Sequence, residues 1–307
     1  MDKDKLYDML ILGGGPAGAT AALYGARAGL SVAVLEKMML GGEIVSTAHL
    51  DNWPGLPDGI SGPEFGELLQ KHLDKLEVPV FYGEIETANL TGKVKKVTFS
   101  GQEYSGKTAL IATGTVPNLL GVEGETELRG RGVSYCATCD AAFFRGKDIV
   151  VVGGGDAALE ETIFLTRFAE KVYLIHRRDK FRGCSWLQQK VLELPSVEVL
   201  WNTTVSKIDG KDRVSGLVIS QGGKERHLDV QGIFIYTGRL PNADYLKGIE
   251  MERDERGYII TNPKMETSVE GVYAAGDIRQ KFLRQVVTAA ADGAIAATAV
   301  SQYLYAY

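Results

Sequence analysis

A strand–turn–helix unit with the glycine-rich pattern Gly-x-Gly-x-x-Gly, in which Ala158 replaces the last glycine of the second copy, occurs twice in this sequence. This repeat restricts the fold more than any other feature. The patterns span residues 13–18 and 153–158, and each lies between a short apolar run and a helix-forming stretch. The glycines allow a tight bend, a close approach of a pyrophosphate to the backbone, and close helix–strand packing. The repeat predicts an α/β fold with two Rossmann-like, doubly wound, three-layer dinucleotide-binding domains.

The first copy carries an acidic residue where a ribose would lie. Gly13 permits the turn, Gly15 lets a pyrophosphate approach, and the following helix presents its N-terminus to the phosphates. Glu36 stands 23 residues after Gly13 and can accept a hydrogen bond from an adenosine ribose hydroxyl. The first copy is therefore predicted to bind FAD or NAD.

The second copy has basic residues in place of this acid. Counting 23 residues from Gly153 leads to His176, and arginines follow at 177, 178 and 182. A carboxylate would repel a 2′-phosphate, whereas guanidinium groups bind it in forked, charge-assisted pairs. NADPH is therefore predicted here; the alternative is that the arginines only solvate the end of a strand. The predicted NADPH residues are Gly153, Gly155, Asp156, Ala157, His176, Arg177, Arg178 and Arg182.

Between the two glycine patterns lies a Cys-x-x-Cys pair, Cys136 and Cys139, which can close a small disulfide ring. Zinc would need further ligands, but the third cysteine, Cys184, and the four histidines are scattered, so we predict no metal site. Two dinucleotide sites and one such pair indicate an electron path from NADPH through a flavin to a disulfide. Asp140 can donate a proton to a departing thiolate, cap a helix, or do both.

The length and composition of the chain limit the number of domains, the kinds of partner and the cellular location that we expect. The chain has 307 residues, enough for about two domains. A net charge of −5 gives no reason to expect nucleic acid or an anionic membrane as a partner. Three cysteines, no long apolar stretch near residue 1 and no membrane-length apolar run favour a cytoplasmic protein. Residues 78–108 and 197–230 alternate apolar and polar residues between glycine turns, which predicts a small β-meander in each domain.

The chain resembles the low-molecular-weight thioredoxin reductases of the class II pyridine nucleotide-disulfide oxidoreductases, from end to end. Residues 129–140 carry the most specific part of the resemblance. The other matching stretches are residues 13–18, 52–55, 112–114, 176–179, 275–277 and 284–285.

The resemblance implies a domain organisation and a separate role for each of the two cysteines. The FAD-binding domain would comprise residues 1–116 and 246–307, and residues 117–245 would form an inserted NADPH-binding domain carrying the disulfide. Cys139 would face the flavin, while Cys136 would attack the disulfide of thioredoxin or a thioredoxin-like protein. The NADPH domain would rotate between half-reactions about the linkers near 116–123 and 236–245, and the protein would be a homodimer.

The resemblance also implies the FAD-binding residues, with Asp277 near the ribityl chain and Arg284 and Gln285 near the flavin. The full set is Gly13, Gly15, Pro16, Ala17, Glu36, Lys37, Gly42, Glu43, Asn52, Ala112, Thr113, Gly114, Gly276, Asp277, Arg284, Gln285 and Val286.

Some positions depart from the family pattern: Glu43 replaces a glutamine, and Ala141 and Ala291 replace glycines. They leave room for an alternative donor, ferredoxin or reduced flavin, or for a small-molecule dithiol oxidase. The arginines after His176 argue against the alternative donor, and residues 129–140 argue against the oxidase. A non-catalytic redox-sensing module is a third class, but it has no use for a Cys-x-x-Cys pair beside a flavin. The aromatic residues 303–307 are expected to be a packed or frayed end, and Cys184 a thiol without catalytic role.

Overall fold

The computed structural model describes residues 5–46, 50 and 52–305, with residues 138 and 139 described by their backbone alone. The chain divides into two compact units: unit 1 comprises Met1–Val116 and Leu240–Tyr307, and unit 2 comprises Pro117–Arg239. The first division coincides with the boundary expected after residue 116. The second division lies between Arg239 and Leu240, before the expected 245/246 boundary, and Ala243 is buried in the core of unit 1.

Strands and helices alternate along much of the chain. The strands are β1 (Leu6–Leu12), β2 (Val32–Glu36), β3 (Val80–Tyr82), β4 (Ile85–Asn89), β5 (Lys95–Phe99), β6 (Gln102–Ile111), β7 (Thr115–Pro117), β8 (Val133–Ser134), β9 (Asp148–Gly153), β10 (Lys171–His176), β11 (Val197–Trp201), β12 (Thr203–Gly210), β13 (Val214–Gln221), β14 (Lys224–Leu228), β15 (Gly232–Tyr236), β16 (Arg239–Pro241) and β17 (Val272–Ala274). The helices are α1 (Pro16–Arg27), α2 (Gly62–Asp74), α3 (Ala137–Asp140), α4 (Asp156–Leu165), α5 (Ser185–Leu192) and α6 (Val286–Leu304).

Unit 1 is built on one sheet in which β6 serves two purposes. Its second half joins the parallel strands in the order β3-β2-β1-β6-β17, and its first half pairs with antiparallel β5, which pairs with β4. Helices α1 and α6 pack closely because small residues face each other: a side chain at Gly293 would overlap the carbonyl oxygen of Ala17. The result is a Rossmann-like sheet with a β-meander. The predicted meander began at residue 78, but β3 pairs in parallel with β2 and belongs to the parallel part of the sheet.

Unit 2 repeats this plan with a separate meander. Its parallel sheet has the order β11-β10-β9-β15-β8, and the antiparallel strands β12-β13-β14 form a sheet of their own. The predicted meander began at residue 197, but β11 pairs in parallel with β10 and belongs to the main sheet. The predicted α/β class with two Rossmann-like sheets, each accompanied by a meander, is confirmed. No helix in the described ranges is long and apolar enough to cross a bilayer.

Candidate dinucleotide sites and redox disulfide

Three of the segments predicted to bind FAD lie at one edge of the unit 1 sheet. Because β1, β6 and β17 run parallel, their carboxyl ends meet there. Gly13 follows β1, residues 112–114 follow β6, and the turn Gly276–Ile278 follows β17. Open α/β sheets bind ligands in the crevice outside the carboxyl ends of their strands. The topology therefore places these three predicted segments where a dinucleotide would bind.

The first glycine turn is hydrogen-bonded to Glu36, the last residue of β2. Gly13 has a φ of +99°, and a β-carbon there would lie 2.5 Å from the carbonyl oxygen of Ala112, so only glycine fits. The N–H of Gly14 donates to Glu36 Oε2 at 2.6 Å, and the N–H of Met38 donates to Glu36 Oε1 at 3.2 Å. Glu36 is buried and fixes the turn. Its contact with a ribose stays a prediction.

Other residues predicted to bind FAD lie outside these three segments and make side-chain contacts of their own or are exposed. Asn52 donates from Nδ2 to Gln285 Oε1 at 3.2 Å, so the structure joins two predicted residues that are far apart in sequence. Lys37 is exposed and forms an ion pair with Glu84 at 2.9 Å. Glu43 is exposed in the short helical turn Gly42–Ser46. The sequence prediction for Lys37 did not include this pairing.

The side chain of Arg284 contacts the loop before α6 at several points. Its guanidinium lies 4.1 Å from the centre of the Tyr258 ring and donates to the carbonyl oxygens of Asp277, Arg279 and Lys281 at 3.3–3.5 Å. Charge-assisted bonds of this kind hold a loop in one conformation. Arg284 therefore shapes the segment that begins with Asp277, whether or not it also contacts a flavin.

A buried charge cluster that the sequence did not reveal supports the same segment. Asp292 on α6 accepts from Lys281 Nζ at 2.6 Å and from the N–H of Gly276 at 3.0 Å through Oδ2, and from Arg279 Nη1 at 3.1 Å through Oδ1. The side chains of Asp292, Arg279 and Lys281 are only 9, 14 and 7 % exposed. One carboxylate thus ties the turn after β17 to the helix α6.

The second glycine turn, in unit 2, is covered by the loop that carries the arginines. The N–H of Arg182 donates to the carbonyl oxygen of Gly154 at 2.7 Å, and the N–H of Cys184 donates to Asp156 Oδ1 at 2.7 Å. Arg177 and Arg178, like Arg182, are exposed. The loop 177–184, which carries three exposed arginines, is therefore held against the turn at the start of α4 by its backbone.

His176 takes the place that Glu36 has in unit 1, beneath the turn. Its ring packs so closely under Gly154 that a β-carbon there would overlap it, and its Nε2 lies 3.0 Å from the carbonyl oxygen of Lys180. Burial, with lesser effects from Arg182 and Arg178, lowers the pKa of His176 from its ordinary value. The ring is therefore neutral at pH 7 and supports the turn; its contact with NADPH stays a prediction.

Cys136 is disulfide-bonded, whereas Cys184 is an exposed free thiol. The predicted partner, Cys139, lies in α3, but its side chain is outside the described part of the structure. The N–H of Cys136 donates to Ser134 Oγ at 3.1 Å, and the N–H of Ala137 donates to Tyr236 Oη at 2.7 Å. The backbone on both sides of the Cys136 side chain is thus held by side-chain oxygens.

Tyr236 and Glu161 near this disulfide carry perturbed pKa values that sequence reasoning missed. Burial and the carboxylates of Glu161 and Asp140 raise the pKa of Tyr236, while the N–H of Ala137 lowers it. Burial and the neighbouring Glu160 raise the pKa of Glu161 to about 7. Neither residue belongs to a motif, so the sequence gave no signal for them.

Comparison with known proteins identifies the family. The model of the pyridine nucleotide-disulphide oxidoreductases matches residues 7–293. This chain belongs to that family. It is 46% identical over 308 residues to the thioredoxin reductase of Bacillus subtilis (strain 168), covering 99% of this chain and 96% of the relative.

Solved structures of related oxidoreductases agree with this membership. The crystal structure of Lactococcus lactis thioredoxin reductase is 38% identical, has a TM-score of 0.86, and is matched over 98% of this chain and 100% of that one. A ferredoxin-flavin thioredoxin reductase from Clostridium acetobutylicum is 29% identical, with a TM-score of 0.54 and coverage of 98% and 99%. The resemblance to thioredoxin reductases is therefore confirmed.

Family membership implies that this oxidoreductase binds a flavin and a pyridine nucleotide. Two observations fit such ligands. At the first turn, a β-carbon at Gly15 would meet nothing closer than Gly42 Cα at 4.0 Å, and no side chain in the described ranges caps α1. At the second turn, none of the described side chains caps α4, which begins after Gly155. Uncapped helix N-termini after glycine turns are binding sites for phosphates.

The charge cluster of the oxidoreductase makes a prediction about stability. Replacing Asp292 with asparagine would leave Arg279 and Lys281 buried without a counter-charge, and breaking a buried pair in this way costs about 3–5 kcal/mol. We expect D292N to unfold at lower urea concentration and to lose flavin first, as followed by flavin fluorescence. D244N, which removes a fully exposed ion pair with Lys247, is the control. Equal stability of both variants would contradict the structural role of Asp292.

Proposed function

We propose that the chain is an NADPH-dependent thioredoxin-disulfide reductase. Electrons would pass from NADPH through FAD to the Cys136–Cys139 disulfide and then to oxidised thioredoxin. The observation that carries this proposal is the disulfide at Cys136, in the unit whose loop 177–184 carries exposed arginines and is hydrogen-bonded to a glycine turn. The similarity to thioredoxin reductases along the whole chain supports thioredoxin as the substrate.

Each unit would bind one dinucleotide. In unit 1 the edge around Gly13, Ala112–Gly114 and Gly276 would hold FAD, with Glu36 beneath the turn. In unit 2 the turn at Gly155 would hold the pyrophosphate of NADPH, and the exposed arginines would hold its 2′-phosphate. When bound, the flavin supplies two-electron transfer between nicotinamide and disulfide.

The disulfide would be the carrier of both electrons and protons. Two electrons and two protons convert the Cys136–Cys139 disulfide into two thiols. The thiolate of Cys136 attacks one sulfur of the thioredoxin disulfide, forming a mixed disulfide and releasing the other thioredoxin sulfur as a thiolate. Cys139 then attacks Cys136, which restores the disulfide and releases reduced thioredoxin. Asp140, which is half-buried at the end of α3, would donate the proton that a departing thiolate takes up.

We further propose that unit 2 rotates relative to unit 1 between the two half-reactions, about the linkers that cross near residues 116 and 240. A nicotinamide and a disulfide would otherwise have to reach the same flavin at the same time. The homodimer and the cytoplasmic location stay predictions from the resemblance and the composition.

A second candidate is the same reaction with a different electron donor. It is favoured by the similarity to the enzyme that is named as a ferredoxin-flavin thioredoxin reductase. The exposed arginines of the loop 177–184 weigh against it, because a ferredoxin-dependent enzyme needs no site for a 2′-phosphate. The donor is therefore the point that an experiment has to resolve.

Anaerobic stopped-flow absorbance of the purified flavoprotein makes this distinction. NADPH is expected to bleach the flavin at least about 100-fold faster than NADH at equal, subsaturating concentration, because only NADPH offers a 2′-phosphate to the arginines. Added oxidised thioredoxin should then restore the colour. Failure of both nucleotides to bleach the flavin, with bleaching by reduced ferredoxin, would overturn the proposal in favour of the second candidate.

A further inference from the structure

The buried side chain of Glu125 in unit 2 is hydrogen-bonded to two separate stretches of the chain. Its Oε1 accepts from the N–H of Leu120 at 3.0 Å and from the hydroxyl of Tyr135 at 2.7 Å, and its Oε2 accepts from the N–H of Gly121 at 2.7 Å. Leu120 and Gly121 belong to the first predicted linker, and Tyr135 directly precedes Cys136. One carboxylate, only 1 % exposed, therefore joins this linker to the segment that carries the disulfide.

The carboxylate is held in one place by its own turn and by the linker. The N–H of Glu125 donates to the carbonyl oxygen of Val122 at 3.2 Å. Gly124, the preceding residue, has a φ of +87°, and a β-carbon there would overlap the carbonyl oxygen of Ile208 on β12, so only glycine lets the turn lie this close to the strand. Because the turn is packed in this way and two backbone N–H groups bind its side chain, Glu125 presents a fixed acceptor to Tyr135.

Tyr135 extends the fixed part of the chain from β8 to Cys136. Strand β8 pairs with β15 and ends at Ser134, and Tyr135 is the next residue. Its half-buried ring packs against the apolar core of unit 2, with the Arg129 guanidinium 5.2 Å from the ring centre. Burial and then the hydrogen bond to Glu125 raise the pKa of Tyr135, so the phenol is protonated at neutral pH and can donate. The hydroxyl that ends this side chain thus anchors the residue next to the disulfide.

We propose that Glu125 and Tyr135 position Cys136 for closure of its disulfide and thereby lower the reduction potential of that disulfide. The equilibrium between a disulfide and two thiols depends on how closely the chain confines the two sulfur atoms when they are reduced, which is their effective concentration. In the oxidised protein the disulfide itself restrains Cys136. Loss of the Tyr135 anchor therefore adds more freedom to the reduced form than to the oxidised form, and reduction becomes more favourable. This inference rests on the proposed redox role of the disulfide.

Equilibration with dithiothreitol tests the proposal. A dithiothreitol thiolate attacks the disulfide, its second sulfur displaces the mixed disulfide, and the protein gains two thiols while dithiothreitol is oxidised to a cyclic disulfide. The flavin-loaded protein with Cys184→Ser, whose remaining cysteines are Cys136 and Cys139, is equilibrated without oxygen in set ratios of reduced to oxidised dithiothreitol. Acid quenching and alkylation give the fraction of reduced protein and hence the equilibrium constant. Flavin absorbance in the same samples separates electrons on the flavin from those on the sulfur atoms.

Y135F isolates the hydrogen bond between the tyrosine and the carboxylate, because the ring remains and Glu125 keeps both of its backbone partners. We expect Y135F to raise the equilibrium constant for reduction about three- to tenfold, the effect of one hydrogen bond, and a tenfold change corresponds to about 30 mV. E125Q should shift the constant in the same direction and at least as far. A glutamine amide would turn its NH₂ group toward one of the three donors, so it cannot replace the carboxylate.

Y303F is the matched control. It removes a hydrogen bond of the same kind, from Tyr303 Oη to Glu270 Oε1 at 3.1 Å, but in unit 1, and it should leave the equilibrium constant unchanged. An unchanged constant in Y135F, even with a lower melting temperature, would show that Tyr135 is anchored equally in both redox states and would overturn the proposal. A lower constant in Y135F, or an equal shift in Y303F, would overturn it as well.

The outcome is independent of the electron donor and acceptor of the proposed function, because the measurement contains neither NADPH nor thioredoxin. The proposed function fails if C136S still reduces thioredoxin, whereas the role of Tyr135 is contradicted by an unchanged equilibrium constant in Y135F. If E125Q does not fold, Y135F still decides, since this substitution leaves the hydrogen bonds between Glu125 and the linker in place.

Discussion

C136S is expected to lower the reduction of thioredoxin by at least about a thousandfold, the largest effect predicted for this chain. A serine hydroxyl cannot form the mixed disulfide with thioredoxin, and without a sulfur at position 136 the chain cannot regenerate the disulfide that accepts electrons. Flavin reduction by NADPH should persist in C136S, because the residues proposed to hold FAD and NADPH are untouched. Turnover is measured as NADPH consumption with thioredoxin in excess, and flavin reduction by stopped-flow absorbance.

C184S is the matched control for this substitution. Cys184 is an exposed free thiol, and the contact by which the structure fixes it is made by its backbone N–H, which serine retains. C184S should therefore keep the thioredoxin turnover of the parent protein. Substantial turnover in C136S, or an equal loss in C184S, would show that the electrons leave through another group.

The turns and the redox pair were predictable because their chemistry is local. Gly13 has a positive φ and lies against a neighbouring backbone, so only glycine fits there. Such a glycine occurs at a fixed distance after the strand that precedes it, and a sequence pattern can therefore detect it. The disulfide at Cys136 was likewise predicted from the Cys-x-x-Cys spacing, and its redox role stays a prediction. Counting 23 residues also located Glu36 and His176 at equivalent places, although not the burial that makes both of them supports of a turn.

The residues that the sequence did not predict make contacts across long stretches of chain. Tyr236 reaches Ala137 over 99 positions, and this contact depends on the register of β8 against β15. The two basic partners of Asp292 lie on the loop before α6, so their distance from the carboxylate depends on how α6 packs on α1. The prediction for residues 197–201 was wrong for another reason. An edge strand of a parallel sheet and a strand of a meander show the same alternation of apolar and polar residues. Patterns along the chain contain none of this information.

The double variant R177A/R178A is expected to raise the KM for NADPH by about 100-fold and to leave the KM for NADH unchanged. Each charge-assisted hydrogen bond to a phosphate contributes about 1.5–3 kcal/mol, and a change of 1.4 kcal/mol corresponds to a tenfold change in affinity. Both side chains are exposed, so their loss should not alter the melting temperature. The effect of the substitutions is therefore on selection of the nucleotide.

A second pair of exposed basic residues in unit 2 serves as the control. K224A/R226A removes the same two charges from β14, so it changes the net charge of the unit equally without touching the loop 177–184. If general attraction of an anionic nucleotide were responsible, both double variants would weaken NADPH binding alike. If the arginines bind the 2′-phosphate directly, only R177A/R178A loses the preference for NADPH, and the remaining affinity becomes less sensitive to salt. An unchanged ratio of NADPH to NADH use in R177A/R178A would mean that these arginines only solvate the end of β10. The case for a different electron donor would then rest on the similarity to the enzyme named as a ferredoxin-flavin thioredoxin reductase.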